Sequence, residues 1–209
     1  MFVVKAIEKM CSSYYEKIER KELGANTCHK RKMINKDNTQ YINKILFDKA
    51  GINNTDEVFK IVKEYMRKVG ISTIVVSSTT GYTAKIMEKF LFEDKKIIIC
   101  KQDISEKYCM KKTIQSELEK KYVVVDIPLK YLQGQIGIVG TNMLRRVSQG
   151  FKVCFELMEF LHTKEMFSVG EKIVVIAGTI QGADTAVVFQ MKNQNNYYVK
   201  EILCLPRND

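Results

Sequence analysis

The sequence predicts an α/β protein in which helices cover both faces of a mostly parallel β-sheet, a three-layer α/β/α arrangement. Continuous apolar runs of strand length, such as STIVV, IIIC and KIVVIA, alternate along the chain with longer segments of helical periodicity. Strands that are apolar on both faces are typical of a parallel sheet that is buried between two layers of helices. The length agrees, because 209 residues suit one sizeable domain with appendages.

The first quarter of the chain differs from the rest in periodicity and charge. Apolar residues recur every three or four positions over about 3–20, which predicts an amphipathic helix, whereas residues 24–42 are polar, basic and aperiodic. The formal net charge of the whole chain is +10, and the surplus of lysine is densest here. We therefore predict an N-terminal helix with a partly disordered basic linker over 1–42, followed by an α/β ligand-binding domain over 43–209.

Within the second part, strands and helices are expected in regular succession. Asn54 fits the N-cap of a helix with Glu57 at the third position, and Gly70 ends that helix. Near the end of the chain, the polar segment KNQNN joins two apolar runs and predicts a hairpin. In order, we expect a short strand in KILFDKAG, a helix from 54 to 70, strand 71–77, helix 82–92, strand 95–100, helix 104–121, strand 122–127, one or two helices within 141–166, and strands 171–178, 185–191 and 197–205.

Composition excludes several classes of site. The six cysteines form no CxxC pair and there are only two histidines, His29 and His162, so no metal site is predicted. Several cysteines lie in apolar runs, which is typical of buried reduced thiols in a cytoplasmic protein.

No apolar stretch approaches the ~18 residues of a membrane span, so we expect no membrane association. With only six arginines, specific nucleic-acid binding is not expected either. Homo-oligomerisation is left open.

A corner rich in hydroxyl groups, SSTTGYT, follows the strand at 71–77. Loops at the carboxyl ends of parallel strands carry function in α/β proteins, and a phosphate there would meet backbone N–H groups and rotatable hydroxyls. Helix capping without a ligand is the alternative. The phosphate-binding candidates are Ser78, Thr79, Thr80, Gly81, Tyr82 and Thr83.

The pattern Ser78-x-Thr80-Gly81-x-Thr83 resembles the flavodoxin phosphate loop, [ST]-x-T-G-x-T, which holds the phosphate of FMN. This resemblance implies FMN as a cofactor. The chain departs from flavodoxins in three ways: the loop does not follow the first strand, there is no tryptophan to cover the flavin, and the protein is basic.

Over roughly residues 46–207 the chain also resembles the stand-alone pyruvate kinase C-terminal-domain-like family, most clearly in SSTTGYTA, SQGFKV and IAGTIQGADTA. The resemblance implies a sheet of order 3-2-1-4-5 with an antiparallel edge strand, in which strand 71–76 is first and strand 172–177 is fourth. In pyruvate kinases of this type, the loop matching Ser78–Thr83 grips the phosphate of a sugar effector. The loop matching 178–184 closes over that effector. Both loops would then flank the point where the chain changes direction across the sheet.

The resemblance also extends the set of binding candidates. Asp184 could accept hydrogen bonds from ribityl or sugar hydroxyls or be an ordinary turn residue. Lys152 could pair with an anion or be a solvated surface lysine, and Asn54 could simply cap its helix. These further candidates are Gly178, Thr179, Gly182, Ala183, Asp184 and Thr185, together with Asn54, Thr55, Gln149 and Lys152.

Three functions are compatible with these patterns. The first is binding of FMN as cofactor, with flavin-dependent oxidoreductase activity on an unknown substrate. The second is non-catalytic sensing of a sugar phosphate, and the third is a structural or assembly role. Pyruvate kinase activity is not expected, because 209 residues cannot also hold a (β/α)8 barrel of typical size.

Overall fold

The computed structural model describes residues 45–92, 94–102, 104–105 and 108–207. The helix predicted over 3–20 and the linker predicted over 24–42 lie outside these residues. None of the helices in the described ranges combines the length and the apolar character needed to cross a membrane.

Strands and helices occur in the expected succession. A 3-10 turn, Ile52–Asn54, precedes the first α-helix, and the hairpin predicted at KNQNN joins the last two strands. The elements are β1 Ile45–Phe47, α1 Thr55–Val69, β2 Thr73–Ser77, α2 Tyr82–Glu88, β3 Lys96–Lys101, α3 Lys112–Glu119, β4 Val123–Asp126, α4 Tyr131–Val147, α5 Gln149–Thr163, β5 Lys172–Ala177, β6 Thr185–Asn193 and β7 Asn196–Pro206.

The strands form one seven-stranded sheet in the order β1-β7-β6-β5-β2-β3-β4. The predicted α/β class is confirmed, but the strand order of the full sheet differs from the predicted one. Strands β4-β3-β2-β5-β6 do follow the expected 3-2-1-4-5 sequence, with β6 antiparallel to β5. The antiparallel strand is not at the edge, however, because β7 pairs with its outer side and β1 then pairs in parallel with β7.

Helices pack on both faces of the sheet, which gives the three predicted layers. On one face, α1, α2 and α3 bury Phe59, Met87 and Leu118 against the sheet. On the other, α5 buries Leu157 and Leu161, among others. Successive residues of β2 and β5 point into the two cores in turn, so these central strands are apolar throughout.

Three helix boundaries differ from those predicted. Helix α2 ends at Glu88 rather than near 92, and Phe90 and Phe92 beyond it pack against the ring of Phe59. Helix α3 begins at Lys112 rather than 104, after the buried Met110 has entered the core. Helix α4 starts at Tyr131 and includes the glycine-bearing stretch, with a non-helical break at Gly137 (φ 72°, ψ 174°).

The topology brings several chain reversals to one edge of the sheet. Strands β2 and β5 are adjacent and parallel, and the chain proceeds from β2 towards β3 on one side and from β5 to β6 on the other. The loops that follow β2 and β5 therefore flank a topological switch point, where α/β proteins generally bind ligands.

Candidate functional site

The corner that the sequence predicts to bind phosphate runs from the last residue of β2 into the first turn of α2, residues 77–83, and is called the phosphate loop below. Its first hydroxyl is used within the protein: buried Ser78 Oγ accepts a hydrogen bond of 3.0 Å from the N–H of Ala84. The Ser78 N–H donates to the carbonyl of Cys100 at 2.8 Å on the neighbouring strand. Ser78 thus holds the loop in place.

The remaining donors of the phosphate loop are not used in this way. Among the described residues, no group hydrogen-bonds to the hydroxyls of Thr79, Thr80 and Thr83 or to the backbone N–H groups of 79–83. Thr79 and Thr80 are half-buried, and Thr83 is mostly buried. These groups form a compact set of neutral hydrogen-bond donors.

Gly81 shapes the loop from within. Its backbone is left-handed (φ 90°), a conformation that side chains rarely adopt, and a Cβ here would lie 2.6 Å from Ile114 Cγ2. The glycine therefore serves the turn and the contact with α3.

The loop between β5 and β6, together with Thr185, is called the second lip (178–185). Asp184 is fully buried, and its Oδ2 accepts hydrogen bonds from the Gly51 N–H at 3.0 Å, the Thr179 N–H at 3.1 Å and the Thr179 hydroxyl at 2.7 Å. Its Oδ1 accepts from the Thr185 hydroxyl at 2.8 Å. Oδ2 thus joins the second lip to the loop after β1, and Oδ1 is bonded within the lip.

Thr55, the first residue of α1, provides a further link to the second lip. Its hydroxyl donates to the carbonyl of Ile52 at 2.6 Å and accepts from the N–H of Ala183 at 3.0 Å. A Cβ on Gly182 would approach this hydroxyl to under 3.0 Å, and one on Gly178 would meet the Gly182 carbonyl. The glycines allow the lip to fold tightly onto α1.

Asn54 does not make the predicted capping bond. It has helical dihedrals (φ −85°, ψ −10°) because the 3-10 turn precedes α1, so its side chain cannot cap the helix. The amide instead donates to the carbonyl of Lys49 at 2.7 Å.

The start of α5 packs directly onto the second lip. Ser148 caps the helix by accepting from the Phe151 N–H at 2.9 Å. A Cβ on Gly150 would lie 2.7 Å from Asp184 Oδ1 and closer still to the Thr185 hydroxyl. The Gln149 side chain accepts from Arg145 Nε at 3.1 Å.

Lys152 is neither a solvated lysine nor directed to an anionic ligand. It is 6% exposed, and its Nζ lies 2.6 Å from Oε2 of the buried Glu156, one helical turn along α5. The other oxygen of Glu156 accepts from the Leu132 N–H at 3.3 Å. Lys152 and Glu156 share the face of α5 that packs into the molecule, so the charges neutralise each other.

The second lip also carries an apolar side chain that the sequence pattern did not single out. Ile180 is 92% exposed, and Gln181 beside it is exposed too. A β-branched apolar residue inside the glycine-containing loop GTIQGAD is the signal that could have identified it. In the described ranges, no group of three or more His, Cys, Asp or Glu side chains is arranged to hold a metal ion.

The family whose model matches the chain agrees with the observed α/β class. A family model described as "Pyruvate kinase, alpha/beta domain" matches residues 56–189, well over half of the chain. Among solved structures, the chain is similar to a pyruvate kinase from Cryptosporidium parvum, with 15% identity, a TM-score of 0.35, and coverage of 61% of this chain and 21% of that one.

A second structure, Cryptosporidium parvum pyruvate kinase in complex with ADP, gives 14% identity, a TM-score of 0.36, and coverage of 75% of this chain and 24% of that one. The chain thus spans less than a quarter of the length of these two pyruvate kinases.

Proposed function

The chain belongs to the pyruvate kinase alpha/beta domain family, and from this premise we propose that it binds a phosphate-bearing small molecule, with FMN as the first candidate. The site is the crevice between the phosphate loop and the second lip. The main observation that supports the proposal concerns the hydrogen-bond donors of the phosphate loop. The hydroxyls of Thr79, Thr80 and Thr83 and the N–H groups of 79–83 have no hydrogen-bond partner among the described residues.

A phosphate group suits this set of donors. Its oxygens accept several hydrogen bonds at once, and bonds to a charged acceptor are stronger than neutral ones. Hydroxyls rotate to suit the acceptor, so three threonines and a run of N–H groups can adapt to one phosphate without a side-chain cation. Ser78 and Gly81 contribute by fixing the loop, through the bond to Ala84 and the left-handed turn.

Exposed Ile180 on the second lip supports FMN over a smaller phosphate ester. The isoalloxazine ring of FMN is planar and needs an apolar surface against at least one face. Ile180 on the second lip and the half-buried Tyr82 on the phosphate loop would provide such surfaces. FMN, when bound, supplies hydride and single-electron transfer chemistry. The residues of this chain would hold its phosphate and shield its ring.

A sugar phosphate is the second candidate. The exposed amide of Gln181 is both donor and acceptor, and it supports recognition of sugar hydroxyls at the same lip. Under this alternative the protein is a non-catalytic sensor, and the phosphate loop has the same role. Pyruvate kinase activity is not part of either proposal.

Titration of the purified chain with FMN tests the proposal, with quenching of flavin fluorescence as the readout. We expect saturable binding and at least a tenfold rise in Kd for the T80V/T83V variant. Tenfold is the minimum, because the loss of even one hydrogen bond to a charged group costs about 1.5–3 kcal/mol. The matched control is T113V, which alters an exposed threonine on α3 and should bind as wild type. Gly81→Val is unsuitable because it would clash with Ile114.

One further outcome would distinguish the two ligands, and another would reject the site. Stabilisation of the protein by glucose 6-phosphate in a thermal-shift assay, with no FMN binding, would favour the sensor. An unchanged FMN affinity in T80V/T83V, with the fold intact by circular dichroism, would remove the phosphate loop as the binding site.

A further inference from the structure

Next to the start of α5 lies a cavity of about 470 Å³ with an unusual concentration of arginine. The described ranges contain four arginines, and three of them line this single cavity, the fourth being Arg67 on α1. We propose that this cavity is a second anion-binding site, separate from the phosphate loop, which takes a phosphate or diphosphate group. Its lining residues are Ala50, Arg145, Arg146, Ser148, Gln149, Thr179, Pro206 and Arg207.

Arg145 carries an uncompensated positive charge. Its Nε donates to Gln149 Oε1 at 3.1 Å and its Nη1 donates to Asn142 Oδ1 at 2.9 Å, so both acceptors are neutral amides. No carboxylate of the described residues pairs with it. The two amides orient the guanidinium while leaving its charge and its remaining N–H donors available.

Arg207 approaches the cavity from the end of β7. Its backbone N–H donates to the carbonyl of Phe47 at 2.9 Å, which fixes the residue beside β1. Its Nη1 lies 3.5 Å from Asp48 Oδ1, and these side chains are 61% and 88% exposed. A loose, solvated ion pair of this kind stabilises little and can be exchanged for a ligand.

The rest of the lining suits an oxyanion. The side-chain NH2 of Gln149 is a further donor, since only its Oε1 is used by Arg145, while Ala50 and Pro206 provide apolar wall. Helix α5 begins at Gln149, so the positive end of a 15-residue helix is at the cavity. The buried carboxylate of Asp184 lies behind Thr179 and is fully hydrogen-bonded within the protein.

These features favour a phosphate over a carboxylate. Guanidinium groups form bidentate hydrogen bonds to either anion, but the doubly charged phosphate gains more from several cations around one cavity. The site does not depend on FMN binding, because it shares no residue with the phosphate loop and involves the second lip only through Thr179.

Isothermal titration calorimetry with inorganic pyrophosphate tests this site, at constant ionic strength set with sodium chloride. We expect saturable binding and at least a tenfold rise in Kd for R145Q/R207Q. Both side chains are exposed, so the double variant should keep its fold, which circular dichroism verifies. The control variant is R67Q, which removes one positive charge far along α1 and should leave the Kd within twofold of wild type. The single variants R145Q and R207Q each remove one charge as well and provide the comparison at equal charge.

Three results would overturn the site. They are no saturable pyrophosphate binding to wild type, equal affinity in R145Q/R207Q, and loss of pyrophosphate binding in T80V/T83V with retention in R145Q/R207Q. The last would place the anion in the phosphate loop. Retained pyrophosphate binding in a T80V/T83V protein that no longer binds FMN would support two separate sites.

Discussion

At the scale of single residues, Asp184 has the greatest structural consequence near the site. One carboxylate, without solvent contact, accepts four hydrogen bonds from two segments of chain, the loop after β1 and the second lip. Buried charges are tolerated when they are hydrogen-bonded, and Oδ2 of Asp184 accepts three bonds and Oδ1 one. The residue thus positions the second lip, and its complete burial keeps both oxygens away from a ligand in this arrangement.

Asp184→Asn should therefore destabilise the fold. The amide cannot accept at both positions, so at least one buried donor loses its partner, at a cost of about 3 kcal/mol. Urea unfolding followed by circular dichroism measures the change. Asp48→Asn, at an 88% exposed side chain, is the control and should unfold as wild type does. Equal midpoints for Asp184→Asn and wild type would contradict the structural role of the carboxylate.

Individual side chains were the hardest features to predict from sequence. The segment NNTDE has the pattern of a capping box, but the 3-10 turn before α1 gives Asn54 helical dihedrals and redirects its amide. The sequence pattern favours a surface position for Lys152, yet the lysine is buried because its charge pairs with that of Glu156, four residues later. Both outcomes depend on neighbouring elements whose positions no short pattern encodes.

At the scale of elements, the central strands were predicted closely and several helix ends were not. Strands β2, β3 and β5 are buried on both faces, so their apolar runs mark them within about two residues. Helices α2 and α3 are shorter than their periodicity suggested, because Phe90, Phe92 and Met110 leave the helical path to enter the core. Tertiary packing overrides local propensity at those ends.

The contact between α5 and the second lip can be tested with glycine substitutions. Gly150→Ala should destabilise the protein by about 1–3 kcal/mol, because its Cβ would overlap Asp184 Oδ1 and the Thr185 hydroxyl. Gly134→Ala on α4 meets nothing within 4 Å and should instead add roughly 0.5–1 kcal/mol through helix propensity. Unfolding midpoints measure both. The packing of α5 on the lip would be refuted if Gly150→Ala were as stable as wild type.

At the scale of the whole molecule, the two cores on either side of the sheet enclose reactive groups. No disulfide joins the described cysteines, and Cys100, Cys154 and Cys204 are buried. Burial raises the pKa of the Cys204 thiol to about 12 and also raises the pKa values of Cys100 and Cys154. These thiols are protonated and shielded at neutral pH, as the apolar runs around them predicted.

Thiol labelling should consequently report global opening of the domain. At pH 8 we expect Cys100, Cys154 and Cys204 to react with an aromatic disulfide reagent only as fast as the native protein unfolds, whereas the partly exposed Cys109 reacts sooner. Mass spectrometry of peptides after timed labelling distinguishes the positions. Labelling of the three buried thiols within seconds, without denaturant, would show that the cores open locally.

The pairing of β1 with β7 brings together strands from opposite ends of the domain. Ile45 lies beside Cys204 and Phe47 beside Pro206, and within the described residues β1 has no other strand partner. Because the two strands are parallel and far apart in sequence, this ladder closes one of the longest loops the domain contains. During synthesis, β1 can therefore pair with β7 only after nearly the whole domain has left the ribosome.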